Sequence, residues 1–270
     1  MTSLLRRAPL VVMVPAIVVG LTPSVARAQP AGQEIASRSL EAFYYAGDDM
    51  RVRVSMTLIN PQDKKRRREL TMLRRDFGSA GDQRYYMFFH ALADVKGMTF
   101  MVWKYPGKED DRWIFIPSIK MVRRIAASDK RSSFVGSDFT YQDVSGRDVG
   151  DETHELLRSE DLGGRPCFVL ESRPKGRADY ARRVSWVDKE RWLPLREEYF
   201  DARGDQVREF TADEVKAVGE HWTVTKRTMR NLQTGHRTEV AFEDVAFDVG
   251  LEEQLFTERF LRRPPRQWIR

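Results

Sequence analysis

The residue types that most often carry chemistry are sparse here. Four histidines, His90, His154, His221 and His236, stand far apart, and no two have the spacing that sets metal ligands on one helix face. The single cysteine, Cys167, has no partner for a disulfide. It reads as a small buried hydrophobe, because a nucleophile would need a histidine and an orienting group gathered round it in space. Carboxylates cluster at Asp48-Asp49 and Glu109-Asp110-Asp111, in turn-like segments where solvated acids are the norm. No GxSxG elbow, phosphate-binding glycine loop or HExxH occurs. A carboxylate pair assembled from distant strands would leave no trace in a sequence. The expectation is therefore a non-enzymatic protein without a metal or cofactor.

One stretch is unusual in another way. "FVGSDFTYQD" (134–143) mixes the turn formers and acids Gly136, Ser137, Asp138 and Asp143 with the rings of Phe134, Phe139 and Tyr141. A solvated loop has no need of those rings. The link in which it sits, 126–147, is too long for a simple hairpin, and long links in compact domains tend to be functional. Two readings stand. Either the rings fold over an open mouth as a lid, with Asp138 and Asp143 accepting backbone hydrogen bonds, or they form a fixed plug.

The elements that must hold this loop read mostly as strands. Gln33 to Tyr45 has helical spacing and stops at Gly47. In "RVRVSMTLI", Val52, Val54, Met56 and Leu58 face one way and polar residues the other, and Leu70 and Met72 return on the same inner face. "RYYMFFHAL", "MTFMVWKY" and "RWIFIP" are apolar on both faces, with methionines interleaved. Such strands are either sandwiched or line a pocket, and methionine suits a pocket that adapts to varied shapes. The cavity candidates are thus Val52, Val54, Met56, Leu58, Leu70, Met72, Tyr86, Phe88, Phe100, Val102, Trp103, Ile114 and Phe115. The second half alternates strands with turns such as "LGGR", "DARGD" and "LQTG". Leu251 to Phe260 reads as a short closing helix. About ten or eleven strands in a meander predict one mostly β domain, a strongly curved antiparallel sheet or barrel.

The first 28 residues read as an export signal: Arg6 and Arg7, an apolar run from Leu10 to Leu21, then Ala26 and Ala28 in small-x-small spacing. The apolar run is shorter than the roughly 20 residues a spanning helix needs. Cleavage after Ala28 would leave residues 29–270 as an exported single domain. It would remove three arginines and no acids, so the net charge falls from +6 to +3. "DKKRRRE" (63–69) has no stacking aromatics of its own and reads as a solvated turn, which argues against nucleic acid. Anionic headgroups are the better partner, at roughly 1 kcal/mol per basic residue. "RRPPRQWIR" at the C-terminus reads either as a second headgroup contact through Trp268 or as a frayed tail.

The span from Arg112 to Val144, "RWIFIPSIKMVRRIAASDKRSSFVGSDFTYQDV", resembles the LolA-like outer-membrane lipoprotein-sorting family, in the branch associated with RND-type (MMPL-like) exporters. The shared pattern is a W-x-(F/Y)-x-P strand with a basic tail, then a GSD(F/L)-(S/T)-Y-x-D box. "WVDKERWLPLREEYFDARGDQVREF" (186–210) is a second, less specific match. The resemblance implies an unclosed barrel wrapped round a hydrophobic cavity, with a lid-like loop. It also implies a lipid or lipoprotein cargo, and an inner-membrane RND-type transporter as partner. A non-enzymatic envelope scaffold, using the same barrel with a filled interior to bind a protein, is the alternative.

Overall fold

The computed structural model describes residues 30–78, 81–90 and 94–269. The proposed signal peptide and its cleavage site lie outside them. Helix α1 (Gly32–Tyr44) leads into β1 (Asp49–Ile59), β2 (Lys65–Phe77), β3 (Asp82–Phe89), β4 (Thr99–Lys104), β5 (Asp111–Ile116) and β6 (Met121–Ile125). A link carrying α2 (Tyr141–Ser145) leads to β7 (Glu152–Leu162), β8 (Arg165–Pro174), β9 (Arg182–Asp188) and β10 (Pro194–Phe200). Then come β11 (Gln206–Val218), β12 (His221–Asn231), β13 (His236–Phe247) and α3 (Glu258–Arg262). The described residues form thirteen antiparallel strands in one sheet, ordered β6-β5-β4-β3-β2-β1-β13-β12-β11-β10-β9-β8-β7. The count exceeds the ten or eleven expected. One added strand is β6, "MVRRI", whose exposed, basic character hides it in a sequence.

Topology explains the long link. β6 and β7 are the two free edges of the sheet, and neither pairs with the other. The chain between them, 126–151, must therefore cross the open side of the curved sheet to reach the far edge. Any such crossing passes over the concave face. Rings placed along it are buried there, which is why a loop rich in glycine and acids also carries Phe134, Phe139 and Tyr141.

Alternation fills the concave face. Met50, Val52, Val54, Met56, Leu58, Leu70 and Met72 are buried on it, and Phe134 and Phe139 close over the same cluster. Each such side chain contributes roughly 1.5–3 kcal/mol by leaving water. Helix α1 covers the other half, packing Ile35 and Ala36 on Phe168, Leu170 and Val187. It lies so close that a Cβ on Gly32 would stand 2.4 Å from the His154 carbonyl oxygen, so only glycine fits there.

The strands that are apolar on both faces have a simple cause. Leu251, Leu255, Phe256, Leu261 and Ile269 of the C-terminal segment pack against Leu73 and Tyr86 on the convex face. The Tyr86 hydroxyl donates to the Phe260 carbonyl at 3.0 Å, Trp103 Nε1 to the Phe256 carbonyl at 2.9 Å, and Thr99 to the Leu261 carbonyl at 2.8 Å. Asp49 accepts from the Val249 and Leu251 N–H groups at 2.8 and 2.7 Å, which anchors the start of the segment. These strands are sandwiched between the loop and the chain's own tail.

Four cavity candidates are corrected accordingly. Tyr86, Phe88, Trp103 and Phe115 lie on the convex side: Tyr86 and Phe88 pack with the C-terminal cluster, Trp103 bonds to Phe256, and Phe115 sits under the Arg262 guanidinium. In β3 the concave residues are Tyr85, Met87 and Phe89, one step out of register with the expectation. The tail is not frayed either. Ile269 is buried, and the Trp268 carbonyl accepts from Arg51 Nε at 2.9 Å. The basic run departs from a solvated turn too, because Lys65–Arg68 begin β2 and Arg68 is buried against Asp94 at 2.7 Å.

Candidate functional site

Two adjoining hollows remain beneath the loop and α1. The first, about 110 Å³, is lined on its apolar side by Met50, Val54, Met56, Leu70, Met72 and Met87. Phe134 and Phe139 of the loop and Phe43 of α1 form its cover, and the exposed Trp222 stands at its rim. The second, about 80 Å³, lies against β7–β10 and shares Phe43, Tyr44, Phe139, Asp143 and Arg227 with the first. Its far wall is polar, with Glu152, Arg183 and Glu197. An apolar cavity of roughly 150 Å³ takes up benzene, so neither hollow accepts a long alkyl tail as it stands. The hydrophobic cavity that the resemblance implies is thus partly occupied, because Phe134 and Phe139 of the loop pack into the concave cluster.

Of the cavity candidates, Val52, Val54, Met56, Leu58, Leu70, Met72, Phe100, Val102 and Ile114 share the concave cluster. Val54, Met56, Leu70 and Met72 line the first hollow. Phe100 is occupied by the loop, with the Phe134 and Tyr141 rings each 5.3 Å from its centre. Gly136 takes φ +79° with Val135 beside it at φ +45°. A β-branched residue in that region stores strain. The contacts on either side must therefore hold the kink.

Those contacts are polar latches. Asp138 pairs with His236 Nδ1 at 2.6 Å and accepts from Thr238 Oγ1 at 2.7 Å, both on β13. Its partners are thus side chains, not the backbone N–H groups expected. Asp143 accepts the Thr140 N–H at 2.8 Å in a capping box that starts α2, and Arg147 and Arg208 at 2.6 and 3.2 Å. Burial would raise the Asp143 carboxyl, but the two guanidinium groups and the Thr140 N–H outweigh it and hold it well below the usual carboxylate range. The Tyr44 hydroxyl and the buried Lys104 ammonium donate to the Asp143 and Gly146 carbonyls at 3.0 and 2.9 Å. A Cβ on Gly146, whose φ is +79°, would stand 3.1 Å from the Tyr44 ring, so a side chain there would be both strained and crowded.

Sequence reasoning missed Phe43, Tyr44, Arg147, Arg208 and Arg227. Tyr44 was legible as a helix-face aromatic, Arg208 and Arg227 were hidden because a charge on a strand normally marks the solvent face, and Arg147 because it follows α2 in the link, where charges are ordinarily solvated. Among the described residues no group of three or more His, Cys, Asp or Glu could hold a metal ion. Cys167 is buried, and burial, followed by Asp188 and Asp161, pushes its thiol up to about 11. His154 is held by Ser172 at 2.8 Å in the wall of the second hollow.

A family model described as "Uncharacterized protein" matches residues 81–263, more than half of the chain, and the chain belongs to that family. Its fold is LolA-like. It is similar to a DUF1329 family protein from Desulfovibrio piger, with TM-score 0.80 and 29% identity over 85% of this chain and 97% of that one. It is similar to a putative outer membrane lipoprotein-sorting protein domain from Vibrio parahaemolyticus, with TM-score 0.79 and 29% identity over 86% and 98%. A LolA superfamily protein from Nitrosomonas europaea shares the fold at TM-score 0.67 and 18% identity, over 86% and 100%. Comparison with curated proteins gives no match.

Proposed function

We propose that this chain is a periplasmic carrier. It is exported by a signal peptide cleaved after Ala28 and holds the acyl chains of a lipid or lipoprotein against its concave face. It shuttles that cargo between membranes, taking it from or passing it to an inner-membrane RND-type transporter and touching anionic headgroups through exposed basic residues. The observation that carries this reading is the cover. A methionine-rich face is covered, beside Phe43 of α1, by a strained loop that joins two unpaired sheet edges and is fastened by polar latches.

Energetics favour such a device. A sixteen-carbon chain gains roughly 12 kcal/mol by leaving water, at about 0.8 kcal/mol per methylene, so its free diffusion across an aqueous compartment is negligible. A carrier must match most of that gain and still release its load. Withdrawal of Phe134 and Phe139 frees the space, and their return competes with the bound chain and lowers the net affinity.

The small size of the resting hollows favours a second reading, in which the loop is a fixed plug and the protein is an envelope scaffold that binds a protein partner. Native mass spectrometry of protein purified from the envelope separates the two. Carrier function predicts a copurifying amphiphile or uptake of one on incubation. Protein that stays lipid-free with every acyl compound offered would support the scaffold.

A further inference from the structure

Arg227 is anomalous among the cations around the hollows. It projects from β12 into the wall that the two hollows share. A bulge puts it there: β11 steps from Glu214 to Val215 while β12 steps from Lys226 to Val224, which leaves Thr225 as the extra residue. The guanidinium lies 4.8 Å from the Phe43 ring centre and 4.2 Å from that of Phe242. One Nη donates to the Val224 carbonyl at 2.9 Å, and Nε is buried without a hydrogen-bond partner.

The other wall arginines each have a carboxylate: Arg74 has Asp76 at 3.6 Å, Arg147 has Asp143 at 2.6 Å, and Arg183 has Glu152 at 2.7 Å. Arg227 has none within ion-pair distance among the described residues. Burial pushes it down to about 10, opposed only by the Tyr44 hydroxyl, so it remains a cation at neutral pH. A buried charge without a counter-ion is costly, and the two ring faces offset only part of that cost. Meanwhile each carboxylate nearby already has a guanidinium partner: Glu152 and Glu197 share Arg183, and Asp143 and Asp179 share Arg147 and Arg208. Among the described residues, Arg227 is thus the one wall arginine with no carboxylate beside it, and it borders the methionine-lined hollow, away from the Glu152–Arg183–Glu197 wall.

We propose that Arg227 is the anion-recognising residue of the hollow, taking the carboxylate or phosphate of a single-headed acyl amphiphile whose tail lies along Met56, Met72 and Met87. Its position between the apolar and polar walls sets the headgroup at the junction and the tail on the methionine side. The proposal rests on the carrier reading and names the charge class of the cargo.

Calorimetric titration of the purified protein with dodecanoate, dodecyl phosphate and uncharged methyl dodecanoate tests it. At least one anion is expected to bind about tenfold or more tighter than the ester, as a charge-assisted pair requires, and the stronger of the two identifies the headgroup. Arg227→Gln should cut that preference to about twofold or less, with ester binding retained, and Arg227→Lys should keep part of it. Ester and anions binding equally to the native protein, or a preference that survives Arg227→Gln, would overturn the role of Arg227 and leave the carrier reading intact. No binding of any of the three would sink both. The comparison among ligands on the native protein needs no variant to fold.

Discussion

Asp143 ties together the loop, α2 and β11. Its side chain is 5% exposed, and it pairs with Arg147 and Arg208 at once. Asp143→Asn at pH 7 should cost about 2–3 kcal/mol, the range for hydrogen bonds to buried charged groups, with Asp179 still serving both arginines. The pH dependence follows from the depressed carboxyl. A group whose folded value lies below its unfolded one contributes fully above the unfolded value, about 3.9 for aspartate, and loses the contribution as pH falls through the folded one. Urea unfolding should thus show a constant gap between native protein and Asp143→Asn above about pH 4, narrowing as the solution is acidified further. A gap that stayed constant down to the acid limit would remove Asp143 from the latch. At the same scale, the Cys167 thiol, buried and raised, should resist alkylation in the folded protein and react only on unfolding.

Elements divide cleanly into those that cover the concave face and those that cover the convex one, and the two sets should respond differently. Phe256→Ala removes a ring from the convex cluster and should cost about 3–5 kcal/mol while leaving acyl binding unchanged in the protein that remains folded. Phe139→Asp puts a charge under the lid and should do the opposite, raising the amphiphile that copurifies, as read by mass spectrometry. Folded Phe139→Asp with unaltered lipid content would argue for a fixed plug. This division was only half legible in the sequence. Strict alternation in β1 assigned Val52, Val54, Met56 and Leu58 to the concave face, because one face of that strand is polar. In β3 both faces are apolar, so alternation carries no information about which is which, and Tyr86 and Phe88 were placed on the wrong side. Nothing local to β3 says that residues 251–269 return to cover it, since that contact spans more than 160 positions. Arg227 escaped for a related reason: the bulge at Thr225 shifts the parity of β12, and a bulge has no residue pattern of its own here.

At the scale of the whole molecule, one topological fact organises the rest. The sheet has two unpaired edges, and the segment joining them crosses the concave face. The proposed carrier would admit its cargo by releasing the side-chain contacts of this segment, at Asp138, Asp143 and Gly146, and withdrawing Phe134 and Phe139, with the sheet left intact. The central claim is that this cover and the acyl chain compete for the same space. The direct measurement is acyl binding by an Asp138→Cys/Thr238→Cys protein, in which an engineered disulfide fastens the loop to β13 where the native pair already meets at 2.7 Å. With the disulfide verified by mass spectrometry, the account predicts no dodecanoate binding when it is oxidised and native binding once it is reduced. Equal binding in both states would mean that the loop does not occupy the cargo's place, and the account would be wrong.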